Sequence, residues 1–176
     1  MISIFKASPS YAAGYLGIMN GDISQEFDSY DNLAQEDKEV LEGNIFGLEI
    51  GYFLTNSVAF ELGFSDVQFR EVDVNGADFT YFSDVNGSLL NYGFRWFLAD
   101  YFNIRMGVIR SEIKYNTKTT GTLELNDETI IESNQYYGFG FGMTFQKMQA
   151  YYDWVQYPNE DGKNGSAQTI GLRLFF

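Results

Sequence analysis

Apolar and polar residues alternate with a period of two along most of the chain. The alternation is clearest in the last segment, where one face carries Ile170, Leu172, Leu174 and Phe176. The opposite face of that segment carries Thr169, Gly171, Arg173 and Phe175. Successive side chains of a β-strand point to opposite faces, so a period of two predicts strands. The pattern therefore predicts an all-β protein.

The same alternation recurs in three pairs of segments, each joined by a short connection: 46–54 with 58–65, 90–98 with 102–108, and 136–145 with 149–154. A first strand is expected at about 11–27. Longer polar stretches separate these units: about 28–42, 71–86, 116–134 and 158–165.

Short and long connections thus alternate around the chain. This order predicts an eight-stranded antiparallel up-and-down transmembrane β-barrel, with tight periplasmic turns and long external loops. No linker-like composition interrupts the sequence, so we expect residues 1–176 to form a single domain. Within the first long stretch, residues 31–41 approximate one face of a short helix that Asp31 caps.

Period two alone does not separate a lipid-facing apolar stripe from the core of a soluble barrel, so the polar face has to decide. That face carries three acids and three arginines: Glu49, Glu61, Arg95, Arg105, Asp153 and Arg173. They lie at similar distances from the short connections or from the C-terminus. Equal numbers of acidic and basic side chains at one depth are expected inside a narrow barrel, because an unpaired ion there costs several kcal/mol. We therefore predict an ion-pair network in the lumen, with direct Glu61–Arg95 and Asp153–Arg173 pairs, that acts as a structural plug.

On this interpretation the apolar stripe faces lipid. Its larger amphipathic aromatics are expected to form interfacial girdles: Tyr52, Tyr92, Trp96, Tyr152 and Trp154. No apolar run approaches the ~20 residues of a spanning helix. The segment 1–6 is too short for the apolar part of a signal peptide, so we expect that the signal of an exported precursor has been removed.

Charge and composition exclude several classes of function. A net charge of −13 makes nucleic acid an improbable partner, because phosphate binding needs clustered Lys and Arg. The chain has no cysteine and no histidine, which removes thiolate chemistry and the commonest general base. Glu49 and Glu61, on adjacent strands, form the one candidate acid–base dyad, and their nearness to arginines favours a structural role. No enzymatic activity is expected.

No cofactor or metal site is expected either. The first long stretch carries an acidic cluster: Asp28, Asp31, Glu36, Asp37, Glu39 and Glu42. Such a cluster could hold Ca²⁺ or Mg²⁺ and bridge to lipopolysaccharide phosphates, but it lacks calcium-loop spacing, so solvated acids are favoured. The repeated Asp-Val-Asn-Gly at 73–76 and 84–87 resembles a calcium loop in composition only, and we interpret the first copy as the tip of the second loop.

The run 134–142, Asn-Gln-Tyr-Tyr-Gly-Phe-Gly-Phe-Gly, and the terminal run 170–176 resemble the small outer-membrane barrels of the OmpX/Ail and OmpA transmembrane-domain type. The resemblance implies a bacterial outer membrane, a lipid bilayer with lipopolysaccharide, and a lumen without a continuous channel. It also implies that the barrel-assembly machinery reads the terminal strand, with Ile170, Leu172, Leu174 and Phe176 as the assembly signal. The lipases, acylases, palmitoyltransferases and omptin-type proteases of this architecture rely on a histidine that is missing here.

These observations lead to one main hypothesis and one alternative. The main hypothesis is a non-enzymatic integral barrel that serves envelope structure, or surface recognition and adhesion through its loops and an extracellular partner. The alternative is a narrow OmpW-like channel for small solutes or ions.

Overall fold

The computed structural model describes residues 12–28, 38–69, 72–75, 80–99, 101–120, 128–158 and 164–176. These ranges form nine strands: β1 (Gly14–Asp28), β2 (Lys38–Phe53), β3 (Val58–Phe69), β4 (Val72–Asn75), β5 (Thr80–Ala99), β6 (Phe102–Thr120), β7 (Glu128–Phe145), β8 (Met148–Pro158) and β9 (Asn164–Phe175). The short β4 and the longer β3 both pair with β5 and share one position in the wall. The result is an eight-stranded antiparallel barrel, as the alternation predicts. Within the described ranges, no helix is long and apolar enough to cross a membrane.

The barrel closes between its first and last strands. β1 pairs with β9 from Tyr15 opposite Phe175 to Gln25 opposite Gly165. At the end of this seam, the backbone N–H of Phe176 donates to the carbonyl oxygen of Gly14 at 3.0 Å. Closure leaves no open strand edge, which is the condition for a sheet to lie in lipid.

Three short connections lie at the same end of the barrel as the β1–β9 terminal residues, and we call this the short-turn end. They follow Phe53, Ala99 and Phe145. In the last of them Gln146 has a φ of 56°, in the left-handed region that a two-residue turn uses. The predicted tight turns are confirmed.

At the opposite end the strands run further than the sequence predicts. β5 already begins at Thr80 and β6 continues to Thr120, across residues that we expected to form loops. The second Asp-Val-Asn-Gly lies inside β5. Residues 38–41 of the predicted helix belong to β2, and residues 31–37 lie outside the described ranges. The outward side chains here are polar because they face water instead of lipid, so polarity alone does not mark a loop.

The two faces of the wall are inverted relative to a soluble barrel. The predicted apolar stripe lies outside, where side chains such as Leu48, Phe64 and Leu172 are about half exposed. The nine residues from Phe46 to Leu54, on β2 and just after it, give this apolar belt a height of roughly 20 Å at the usual rise and tilt, near the ~25 Å of outer-membrane barrels. Beyond the belt, each of the eight wall strands carries one polar outward residue. Together these residues form a polar outward ring: Asn20, Asn44, Asp66, Ser88, Arg110, Gln135, Gln156 and Gln168.

Candidate functional site

The barrel interior contains three layers of side chains. An aromatic layer at the short-turn end consists of Tyr15, Phe53, Ala59, Phe97 and Phe175. A charged layer follows, with Glu49, Glu61, Arg95, Arg105, Asp153 and Arg173. An apolar layer fills the part toward the long connections, with Ile23, Ile45, Val67, Phe69, Val85, Leu89, Ile109, Ile113, Tyr136, Tyr157 and Ala167.

The aromatic layer is closely packed across the lumen at the short-turn end. Its four rings contact one another in every combination, with centroid distances from 5.5 to 6.4 Å. Several of these pairs are edge-to-face, the arrangement that ring quadrupoles favour. Tyr15 and Ala59 have no exposed surface, so the layer leaves little room for water at this end.

Arg95 is the centre of the charged layer because it contacts all three acids. Its Nε donates to Glu61 Oε2 at 2.6 Å, its Nη1 to Asp153 Oδ2 at 2.9 Å, and its Nη2 to Glu49 Oε2 at 3.2 Å. The Nη1 also donates to Asn103 Oδ1 at 2.8 Å. Because all five of these side chains are buried, the guanidinium depends entirely on protein partners for its solvation.

The other two arginines, Arg105 on β6 and Arg173 on β9, complete the ion pairs. Arg105 donates to Glu61 and reaches Asp153 Oδ2 at 3.3 Å. Arg173 donates to Glu49 through Nε and to Asp153 Oδ2 through Nη2 at 2.8 Å. Each acid therefore contacts at least two arginines, and the six formal charges sum to zero. The structure brings together all six residues that the sequence places on the inner face.

Neutral polar groups complete this layer, and the sequence analysis did not single them out. The Tyr15 hydroxyl donates to Glu61 Oε2 at 2.5 Å, and Gln149 Oε1 accepts from Arg173 Nη1 at 3.0 Å. The Tyr151 ring lies under the Arg173 guanidinium, with the Cζ 3.4 Å from its centroid. Along their strands, Tyr15, Gln149 and Tyr151 alternate with outward-facing residues. This alternation is the sequence signal that identifies them as inward-facing.

Two inward glycines leave room for polar side chains of the strands on either side of them. Gly17 lies between Glu49 of β2 and Arg173 of β9, and a Cβ there would come within 2.6 Å of the Glu49 Cγ. Gly140 lies between Asn103 and Asp153, and a Cβ there would overlap the Asp153 carboxylate. Such close side-chain approach explains why glycine interrupts strands that would otherwise favour larger residues.

The apolar layer was missed by the sequence analysis. Val85 and Ile113 lie in stretches of strand that were expected to be loop or were left unassigned, and both are nearly fully buried. Each alternates in step with an inward arginine of its own strand: Val85 with Arg95 on β5, and Ile113 with Arg105 on β6. The six charges thus occupy one level of the lumen, and apolar side chains fill the part toward the long connections.

The predicted outward residues fall at two levels of the apolar belt. Tyr52 and Trp96 lie near the short-turn end, where both are exposed. Tyr152 lies toward the other edge, where its hydroxyl donates to Gln168 Oε1 at 3.0 Å. The remaining predicted girdle residues, Tyr92 and Trp154, also lie toward that edge. On β9 the four outward residues of the terminal strand are all exposed: Ile170, Leu172, Leu174 and Phe176.

The acidic cluster of the first long stretch lies mostly outside the described residues. Asp31, Glu36 and Asp37 are not described, and Asp28 and Glu39 are described in backbone only. Among the described residues, no group of three or more acids is arranged to hold a metal ion.

A closed barrel with an apolar exterior and its ionised groups sealed inside has the architecture of an integral outer-membrane β-barrel. Comparison with solved structures gives the same fold. The chain superposes on Ail, the attachment invasion locus protein of Yersinia pestis, with a TM-score of 0.56 at 15% identity. The superposition covers 93% of this chain and 99% of Ail. Neisserial surface protein A covers 94% of this chain and 98% of its own, with a TM-score of 0.54 at 11% identity.

A third similar structure is the outer membrane protein OprG from Pseudomonas aeruginosa, with a TM-score of 0.53 at 14% identity over 96% of this chain and 98% of that protein. At these identities the similarity concerns the fold. No protein-family model matches the sequence, and no curated protein sequence matches it significantly. The chain thus has the fold of the small eight-stranded outer-membrane barrels.

Proposed function

We propose that this protein is a non-enzymatic, non-conducting barrel that serves envelope structure or presents its external end for recognition. The observation that carries the proposal is the sequence of layers inside the lumen. Four mutually contacting aromatic side chains lie beneath six paired charges, and apolar side chains lie above them. An eight-stranded barrel is just wide enough for side chains to fill it, so these layers act as the plug.

The absence of enzymatic activity follows from how the acids are used. Glu49 and Glu61 are the candidate dyad, and each is buried against two arginines. A carboxylate enclosed in this way is not accessible to a substrate. The charged layer therefore supports stability and strand register.

The outer surface supports anchoring and assembly. Tyr52 and Trp96 at one edge of the apolar belt, with Tyr92, Tyr152 and Trp154 toward the other, suit the interfacial regions of a bilayer. The exposed apolar face of β9 is the part of the chain that we propose the barrel-assembly machinery reads. Lipid and lipopolysaccharide are then the permanent neighbours of the apolar belt.

Recognition is the second part of the proposal. The strands continue for about ten residues beyond the polar outward ring on β6, so the barrel presents a substantial wall outside the membrane. Ail, which shares the fold, has been solved in complex with the heparin analogue sucrose octasulfate. The present chain has 24 acidic and 11 basic residues, and three of the basic ones are enclosed in the charged layer. A basic partner, or an anionic one bridged by divalent cations, therefore fits better than a sulfated polymer.

One observation favours a narrow channel as the second candidate. The apolar layer lines the part of the lumen toward the long connections, and this lining suits a small apolar solute. Against this, the cavity between the apolar layer and the charged layer has a volume of only about 30 Å³, far below the roughly 150 Å³ that holds benzene.

Planar-bilayer conductance of the refolded protein tests the proposal. We expect no stable openings from the wild type, after insertion is verified by the mobility difference between unheated and boiled samples on a denaturing gel. A double variant, Arg95→Ala with Glu61→Ala, keeps the lumen neutral while removing two of its largest side chains, and we expect it to leak ions. Discrete, reproducible openings from the wild type would instead establish a channel.

A further inference from the structure

Among the described residues, five buried side-chain polar atoms have no hydrogen-bond partner within the protein. One is Tyr151 Oη, which lies apart from the cavity described below. The other four are Arg105 Nε, Tyr136 Oη, Tyr157 Oη and Thr169 Oγ1. Each residue is at most 4% exposed, and each comes from a different strand. Buried groups of this kind nearly always have a partner, so a cluster of four requires a physical explanation.

All four residues line one cavity, which separates the charged layer from the apolar layer. Its volume is about 30 Å³. Ser65, Asn91 and apolar side chains including Leu89 complete its walls. Four polar atoms without a protein partner around one small cavity indicate a polar occupant.

Arg105 shows that the cavity, rather than crowding, accounts for the missing bonds. Both of its Nη atoms are bound to acids, while its Nε is not. Arg95 and Arg173 differ, because their Nε atoms donate to Glu61 and Glu49. Arg105 is thus the guanidinium of the charged layer that keeps a free donor next to the cavity.

Size and charge select the occupant. A buried water needs ~10–15 Å³, so the cavity has space for about two waters. The six charges of the adjacent layer already balance, so an added ion would leave one uncompensated charge in a dry environment. Water both donates and accepts, which suits a guanidinium N–H together with three hydroxyls. We infer that the cavity is a hydration site holding about two waters that bind Arg105 Nε and the hydroxyls of Tyr136, Tyr157 and Thr169.

Water-selective nuclear Overhauser measurements on arginine-labelled protein in lipid nanodiscs test this inference. The Arg105 Nε–H should show a cross-peak to long-lived water. The Nε–H groups of Arg95 and Arg173 are matched internal controls at the same depth and should show none. An Arg105→Lys variant assigns the resonance. An Arg105 signal as free of water contact as the two controls would overturn the inference.

Two variants separate water from other proton sources. In Tyr136→Phe the cross-peak should persist, because three partners still hold the water; its loss would identify the hydroxyl proton as the source and overturn the inference. Ala167→Leu places a larger side chain in the cavity and should abolish the cross-peak in protein that still shows the folded gel mobility. A cross-peak that survives in folded Ala167→Leu protein would place the water elsewhere and equally overturn the inference.

Discussion

Replacing Arg95 is the most informative perturbation of the charged layer. Its guanidinium bonds to Glu49, Glu61 and Asp153 and has no exposed surface. Arg95→Met removes the charge while keeping most of the volume, and Arg95→Ala removes both. Comparing the two variants separates the electrostatic loss from the effect of a cavity.

The geometry sets the expected magnitude. Removing one partner of a buried ion pair costs about 3–5 kcal/mol, because an uncompensated charge is left behind. After Arg95→Met the layer carries a charge of −1, yet Glu61 keeps Arg105, and both Glu49 and Asp153 keep Arg173. Every acid retains a cation, so we expect a loss near the lower limit, about 3 kcal/mol, with a further loss for Arg95→Ala.

Urea unfolding in lipid vesicles, followed by tryptophan fluorescence, measures this difference. Arg110→Ala is the matched control, since Arg110 faces outward on β6 and should change the free energy of unfolding by less than about 0.5 kcal/mol. Adding Glu61→Gln to Arg95→Met restores charge balance and should recover part of the loss, with a coupling of roughly 0.5–3 kcal/mol. The reasoning is refuted if Arg95→Met and Arg110→Ala destabilise equally, or if the double variant shows no coupling.

Two further variants test the layer geometry and the terminal strand. Gly17→Ala forces the Glu49 side chain away from its present position and should cost about 1–3 kcal/mol in the same unfolding assay; unchanged stability would show that the glycine is not needed for that approach. Phe176→Ser should lower the amount of barrel assembled in the outer membrane several-fold, while Phe145→Ser, at an equally exposed position beside another short turn, should not. Equal loss from both, measured by heat-modifiable gel mobility of membrane fractions, would contradict a specific role for the terminal residue.

Much of the fold could be predicted because the membrane imposes a strict alternation. Outward residues such as Leu48 and Leu172 must be apolar, and period two then assigns every intervening residue to the lumen. Glu61 and Arg95 could be paired from sequence because they lie on neighbouring strands near the same short turn. Closure could be predicted too, because a sheet in lipid leaves no edge unpaired, and an even number of wall strands makes the closing β1–β9 pair antiparallel.

The parts that could not be predicted lie where the environment changes along a strand. Beyond the apolar belt the outward face meets water, so polar residues occupy both the strands and the loops there. The alternation loses its contrast, and the start predicted for β5 is therefore too late in the chain. Inward apolar residues such as Val85 were then hidden inside apparent loops. The aromatic layer was missed for a different reason: its rings come from four strands, and the alternation that places Phe175 on the inner face does not show that Tyr15 and Phe97 lie at the same level.

The charged layer also has a consequence for how this chain finds its register. Slipping one strand by a single residue exchanges its two faces, and a barrel that was apolar on both faces would tolerate that error. Here a slip of β5, β6 or β9 would move Arg95, Arg105 or Arg173 into lipid, at roughly 2–4 kcal/mol for an arginine near the bilayer midplane. The same slip would leave a buried carboxylate without its cation, which adds a comparable cost. We therefore expect the six charges to discriminate against misregistered barrels more strongly than their net contribution to stability suggests. This gives a physical reason for ions at a level of the lumen that apolar side chains could also fill.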